Sequence, residues 1–313
     1  MYPRLGRLLA SLAVAALPAW TSAAAAGAIA NPAPFLWWVA GAHTTHYLLG
    51  SVHLRPLDAQ NLPSGLAQAY AQSAGVVLET DLAALDDPPL RAAFAASARA
   101  STTLRERLPA PLYARFTARA LALHMPAASC EQMRAWWCAL ALANRAFRDA
   151  GFSVTAGVDS RVRSLALADG KPVRWFEAPS AHLALFTGME PALSRALLQA
   201  ELEEEDGALA SPEAVYAAWQ YGEAGTLAAF NQRFRERERA LYARLLADRN
   251  RAWMPRLATW LAGNERQLIV VGAAHLVGPD GLVQMLRAAG YRLGRGLAPR
   301  LTAAVRGLAG HAR

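Results

Sequence analysis

Tyr47-Leu-Leu-Gly-Ser-Val-His-Leu54 and Ile269-Val-Val-Gly-Ala-Ala-His-Leu276 are two copies of one pattern: an apolar run, a glycine, two small or apolar residues, then histidine and leucine. Each apolar run reads as a buried strand, and glycine at its end lets the backbone turn sharply. The first copy leads through a short loop and a helix to the strand Val76-Val-Leu78. The second leads through Gly278-Pro-Asp-Gly281 and a helix to a strand around Tyr291 to Leu293. Each half is therefore a β-loop-α-β unit. Two such units predict an α/β fold: a single domain with a mixed, partly parallel sheet, both glycine corners lying at its carboxyl edge. That edge is where open α/β sheets bind their ligands.

Outward from these units, Phe35 to Val39 and His46 to Leu49 read as a β-hairpin around Gly41-Ala42. Val173 to Phe176 reads as a further strand. Pro89 to Phe147 and Ala181 to Leu261 carry helical periodicity, so they are large helical insertions in the sheet domain. Trp136, Trp137, Trp219, Trp253 and Trp260 are expected in the core. No Pro/Gly/Ser linker divides the chain, which predicts one domain over 28–313.

The first 27 residues differ in character. Arg4 and Arg7 precede an uncharged run of 13 residues, Leu8 to Trp20, and then the small residues Thr21 to Gly27. This is the layout of a secretory signal peptide, and the run is shorter than the roughly 20 residues of a spanning helix. A periplasmic or secreted protein with no stable membrane span is expected. The 32 basic and 24 acidic residues leave +8, but the densest arginine run, Arg233 to Arg239, is interleaved with Glu236 and Glu238. It reads as a solvated helix face, and nucleic acid is excluded as a partner. Export permits a disulfide between Cys130 and Cys138. Eight helical steps would hold them about 12 Å apart, so a bond needs a chain turn near Ser129, and both states stay open.

His53 and His275 stand three residues after Gly50 and Gly272, where each ring can point back over the strand ends. Either alone reads as a turn cap; as a pair they read as ligands of one divalent ion. Glu79 follows the strand Val76 to Leu78, and Asp81 shares its face two residues on, so both can project into the same edge. Asp159 reads as a helix N-cap in preference to a site residue. His43 and His46 are expected at the surface, while His124, His182 and His311 have no evident companion.

At this point several segments together resemble the TraB/GumN family in order and spacing. They are Phe35-Leu-Trp through Gly50-Ser-Val-His53 to Glu79-Thr-Asp81; Gly157-Val-Asp159 through Gly170-Lys-Pro-Val173 to Glu177; Arg249-Asn250; and Gly272-Ala-Ala-His-Leu-Val-Gly-Pro-Asp-Gly281. That family is similar to the Tiki metalloproteases, so the resemblance implies a divalent-metal site using His53, Glu79 and His275, with Arg249, Asn250 and Glu177 nearby. It favours Mn²⁺ or Co²⁺, with Zn²⁺ also suited to such nitrogen and oxygen donors. Glu177 is followed here by Ala-Pro-Ser180, where family members carry a threonine or similar polar residue.

The chemistry expected from this set is hydrolysis by a metal-activated water, of a peptide before an ester. Glu79, or Glu177, would take the proton, Arg249 would stabilise the oxyanion, and Asn250 would orient substrate or a ligand. Neither a Gly-x-Ser-x-Gly elbow nor a His-Glu-x-x-His motif occurs. The rival reading is a non-catalytic periplasmic binding or regulatory protein for a peptide signal or polysaccharide fragment.

Overall fold

The computed structural model describes residues 33–59, 61–203 and 211–299. The 1–27 segment and His311 lie outside the described residues. The strands are β1 (Leu36–Ala40), β2 (Thr45–Ser51), β3 (Arg55–Pro56), β4 (Gly75–Thr80), β5 (Phe152–Ser153), β6 (Val173–Glu177), β7 (Gln267–Gly272) and β8 (Leu293–Arg295). Six of them form one sheet in the order β6-β4-β7-β2-β1-β8, while β3 and β5 pair separately. The run β6, β4, β7, β2 is parallel, and β1 is antiparallel to both β2 and β8. Every residue of β4 and β7 is buried, as expected of parallel strands covered on both faces.

The two repeated units share this sheet but interleave. The first unit's closing strand, β4, lies on the far side of β7, and the second's, β8, lies outside β1. β8 also starts two residues later than the sequence predicts. The preceding helix, Leu282–Ala288, ends with Gly290 at φ +87°, and the Tyr291 N–H donates to the Leu286 carbonyl at 3.0 Å. Tyr291 is thus held in the helix C-terminal turn.

Register sets the corners side by side: Gly50 faces Val271 and Ser51 faces Gly272. Gly50 serves close approach, without a positive φ. A Cβ there would meet the Ala273 Cα at 2.9 Å. The Trp219 indole N–H donates to the Gly50 carbonyl at 2.8 Å, pinning the corner from the helical side.

Trp136, Trp219 and Trp253 are fully buried, and Trp137 and Trp260 are partly buried against the cores. One core surrounds the sheet; a second, around Phe116, Trp136 and Leu198, fills the helical insertions. The long helical stretch over 89–147 is broken into Pro88–Ser97, Leu104–Arg107, Ala110–Ala122 and Ala135–Asp149. Among the described residues no helix is long and apolar enough to cross a membrane.

One sequence expectation is corrected here, and one question the sequence left open is decided. His46 is buried, because its ring fills the space beside Gly41 and its Nδ1 accepts the Gln267 N–H at 3.2 Å. Burial, with Arg266 adding to it, lowers its pKa to about 4. The chain does turn between Cys130 and Cys138, yet both thiols are free, and Cys138 Sγ donates instead to the Cys130 carbonyl.

Candidate active site

The carboxyl ends of the parallel strands deliver Ser51 as the last residue of β2, His53 after it, Glu79 in β4, Glu177 in β6 and His275 after β7. The helix Asp248–Leu261 lays Arg249 and Asn250 across them. The helices Val158–Ala168 and Pro179–Thr187 add Asp159 and His182.

Arg249 is the hub. Its Nε donates to Glu177 Oε1 at 2.8 Å; Nη1 donates to the Leu245 carbonyl and to His275 Nε2 at 2.9 Å. Nη2 reaches Glu79 Oε2 at 2.6 Å and Glu177 Oε2 at 3.1 Å. A guanidinium has five N–H donors, and all five are committed. The expected oxyanion role therefore finds no spare donor on Arg249, which acts as a cross-link.

Asn250 orients His275. Its Nδ2 donates to the carbonyls of His275 and Asp280, so Oδ1 is the acceptor for His275 Nδ1–H at 2.6 Å. The Nε2 lone pair then accepts from Arg249. Burial first, and Arg249 further, outweigh Glu79 and pull the His275 pKa down to about 3, so the ring is neutral.

Both carboxylates of the hub are ionised. Burial opposes this for Glu79, but Arg249 and then His275 hold its pKa well below the usual range. Its Oε1 also accepts the Gly272 N–H at 2.6 Å. Burial likewise opposes ionisation of Glu177, whose contacts with His182 and Arg249 bring it to about 2. The Trp253 indole donates to Glu177 as well, at 2.9 Å.

Three residues depart from their sequence readings. His182 does have a companion: its Nδ1 lies 3.1 Å from Glu177 Oε2 and 3.4 Å from Arg249, and the nearer carboxylate takes the N–H. The signal that could have revealed it is Pro179, which starts a helix right after β6 and carries His182 in its first turn. Asp81 turns away from the site, its Oδ1 accepting the Ala83 N–H. Asp159 is not the N-cap; Gly157 is, and a Cβ there would stand 2.2 Å from the His53 carbonyl oxygen. One step into the helix, the buried Asp159 carboxylate lies 3.2 Å from His53 Nδ1. Burial lowers the His53 pKa, but Asp159 outweighs it and the net shift is upward.

His53, Glu79 and His275 do share one edge. Gly272 and Arg249 each donate to one Glu79 oxygen, leaving each oxygen a second lone pair, and Arg249 takes the free lone pair of His275. His275 Nε2 is 3.9 Å from Glu79 Oε1, and among the described residues no three His, Cys, Asp or Glu side chains converge as a metal-binding group. Above the polar floor the cleft is apolar, lined by Leu82, Leu185, Phe186, Leu197, Phe230 and Phe234.

Comparison with known proteins finds relatives over most of the described chain. The protein named Uncharacterized protein YbaP from Escherichia coli (strain K12) is 24% identical over 246 residues, covering 77% of this chain and 87% of that one. The protein of the same name from Shigella flexneri matches to the same extent. No solved structure matches. The model of the TraB/PrgY/gumN family matches residues 35–295, spanning both glycine corners and every strand of the sheet, and the chain belongs to that family.

Proposed function

We propose that the cleft hydrolyses bonds in a peptide or other small polymer, peptides before esters, in the periplasm or outside the cell. The observation that carries this reading is that His182, which lines the cleft, pairs through Nδ1 with the carboxylate of Glu177 behind it. A carboxylate that takes the Nδ1–H of a histidine fixes its tautomer and leaves Nε2 as the proton acceptor, the logic of the hydrolytic triads. His182 would take a proton from an attacking water and return it to the leaving group. Glu79 and Glu177, held ionised, supply charge and orientation. The apolar walls would hold substrate side chains and exclude bulk water.

Dependence on a divalent ion, Mn²⁺ or Co²⁺ ahead of Zn²⁺, belongs to the same reading through the family likeness. The proton transfer at His182 would itself pass through no ion.

The test is cleavage of a peptide library by the full protein, with and without a chelator and added Mn²⁺, Co²⁺ or Zn²⁺. Cleavage is expected, and His182→Gln should lower turnover about 100-fold or more. Peptide binding without turnover under every condition would instead support the binding-protein reading.

A further inference from the structure

A second cavity, of about 830 Å³, lies between the small β3–β5 pair and the helices of the insertion, and it shares no lining residue with the cleft. It is a seam between two apolar clusters that do not merge. Leu54 and Phe152 belong to the cluster beside β3 and β5, while Phe94 and Leu140 belong to the core of the helical insertion. The volume falls in the range of small-ligand sites, roughly 300 to 1,000 Å³. Met125, Met133 and Trp137 are only half-buried along the walls, so apolar surface is left uncovered there. Two of the three are methionines, whose unbranched side chains adapt to a flexible occupant.

Charge at the lining has one sign. Arg99, Arg145 and Arg148 border the cavity, and among the described residues no Asp or Glu does. Arg145 is paired with Asp149 at 2.7 Å, whereas Arg99 and Arg148 are exposed and make no ion pair among the described residues. The guanidiniums therefore stand at the mouth and the buried apolar residues at the floor. Polar side chains of the wall are engaged close by: Asn144 donates to the Leu140 carbonyl, Ser129 donates to the Pro126 carbonyl, and Ser153 shares a hydrogen bond with Thr155. A peptide inserted here would bury N–H and C=O groups with few partners, each at a cost. An alkyl chain brings no such groups.

We infer that this cavity binds a single-chain fatty carboxylate, its alkyl chain between the two apolar clusters and its head beside Arg99 and Arg148. The tail supplies most of the affinity through apolar burial. The head stays partly in water at the mouth, so the ion pairs form without full desolvation of either charge. This site stands apart from the hydrolytic reading, and it is tested by binding alone.

Calorimetric titration of the full protein with tetradecanoate, kept below the concentration at which it forms micelles, should show one molecule bound. From decanoate to tetradecanoate, affinity should rise about fourfold for each added methylene, the factor for full burial of a CH₂. Tetradecyltrimethylammonium, with the same chain and the opposite charge, should bind at least tenfold more weakly. Replacing both exposed arginines, Arg99→Gln with Arg148→Gln, should weaken tetradecanoate at least tenfold. Ala141 is half-buried on the cavity wall, and Ala141→Trp should fill the space and abolish binding, while His182→Gln leaves it unchanged. Equal affinity for the two head groups, undiminished affinity in the double arginine variant, or no binding by the wild type would each overturn the assignment. Binding that survives Ala141→Trp at an unchanged melting temperature would place the chain elsewhere and overturn it as well. Co-sedimentation with phosphatidylglycerol vesicles without uptake of monomeric tetradecanoate would make the arginines a membrane contact instead.

Discussion

Arg249 Nη2 lies 2.6 Å from Glu79 Oε2, joining a helix to a strand 170 positions away in the chain. The same guanidinium holds Glu177 and His275, so one side chain ties together the ends of β4, β6 and β7. Removing one partner of a buried ion pair costs about 3 to 5 kcal/mol, because the remaining charge is left uncompensated. Arg249→Met should lose stability on that scale in urea unfolding. Arg249→Lys should recover only part of it, since an ammonium cannot serve five acceptors in a plane.

Asn250→Ala leaves the His275 Nδ1–H and two carbonyls without their partner in a buried setting. The expected loss is about 1 to 3 kcal/mol. Asn250→Asp should be tolerated poorly as well, because it puts an acceptor where Asn250 now donates to the His275 and Asp280 carbonyls. Thermal unfolding of both variants, with the ¹⁵N tautomer pattern of His275, checks this.

Acid should weaken the fold through Glu177. Its folded pKa is about 2, below the ordinary 4.5, so its stabilisation is full above the ordinary value and is lost as pH falls from about 4.5 towards 2. The amount is on the order of 3 kcal/mol by linkage. Urea midpoints measured across that window should fall steeply for the wild type. Glu177→Gln should start lower and fall less.

Gly157→Ala places a Cβ against the His53 carbonyl oxygen, a backbone atom that cannot move without shifting the corner. The Val158 N–H bond to the Val52 carbonyl, at 3.0 Å, fixes the same junction. A destabilisation of about 1 to 3 kcal/mol is expected from overpacking. A variant with wild-type melting temperature would show that the junction has slack.

The sequence by itself determined the sheet, its edge and most of the residues placed there. Apolar runs ending in Gly50 and Gly272 are a one-dimensional signal, and strand alternation after Val76 to Leu78 placed Glu79 at the edge without knowledge of any partner. Only the tertiary structure decided which lone pairs remain free. Arg249 is 72 positions from Glu177 and 26 from His275, distances over which neither helical nor strand periodicity reports contact. The same limit hid His182, whose companion is set by the angle at which a helix leaves β6. It also hid His46, buried by a gap beside a glycine, and Asp159, which lies one step inside the helix against His53 Nδ1. Periodicity carries which face a residue occupies; hydrogen-bond pairing depends on distances of a few tenths of an ångström between elements, and packing alone sets those.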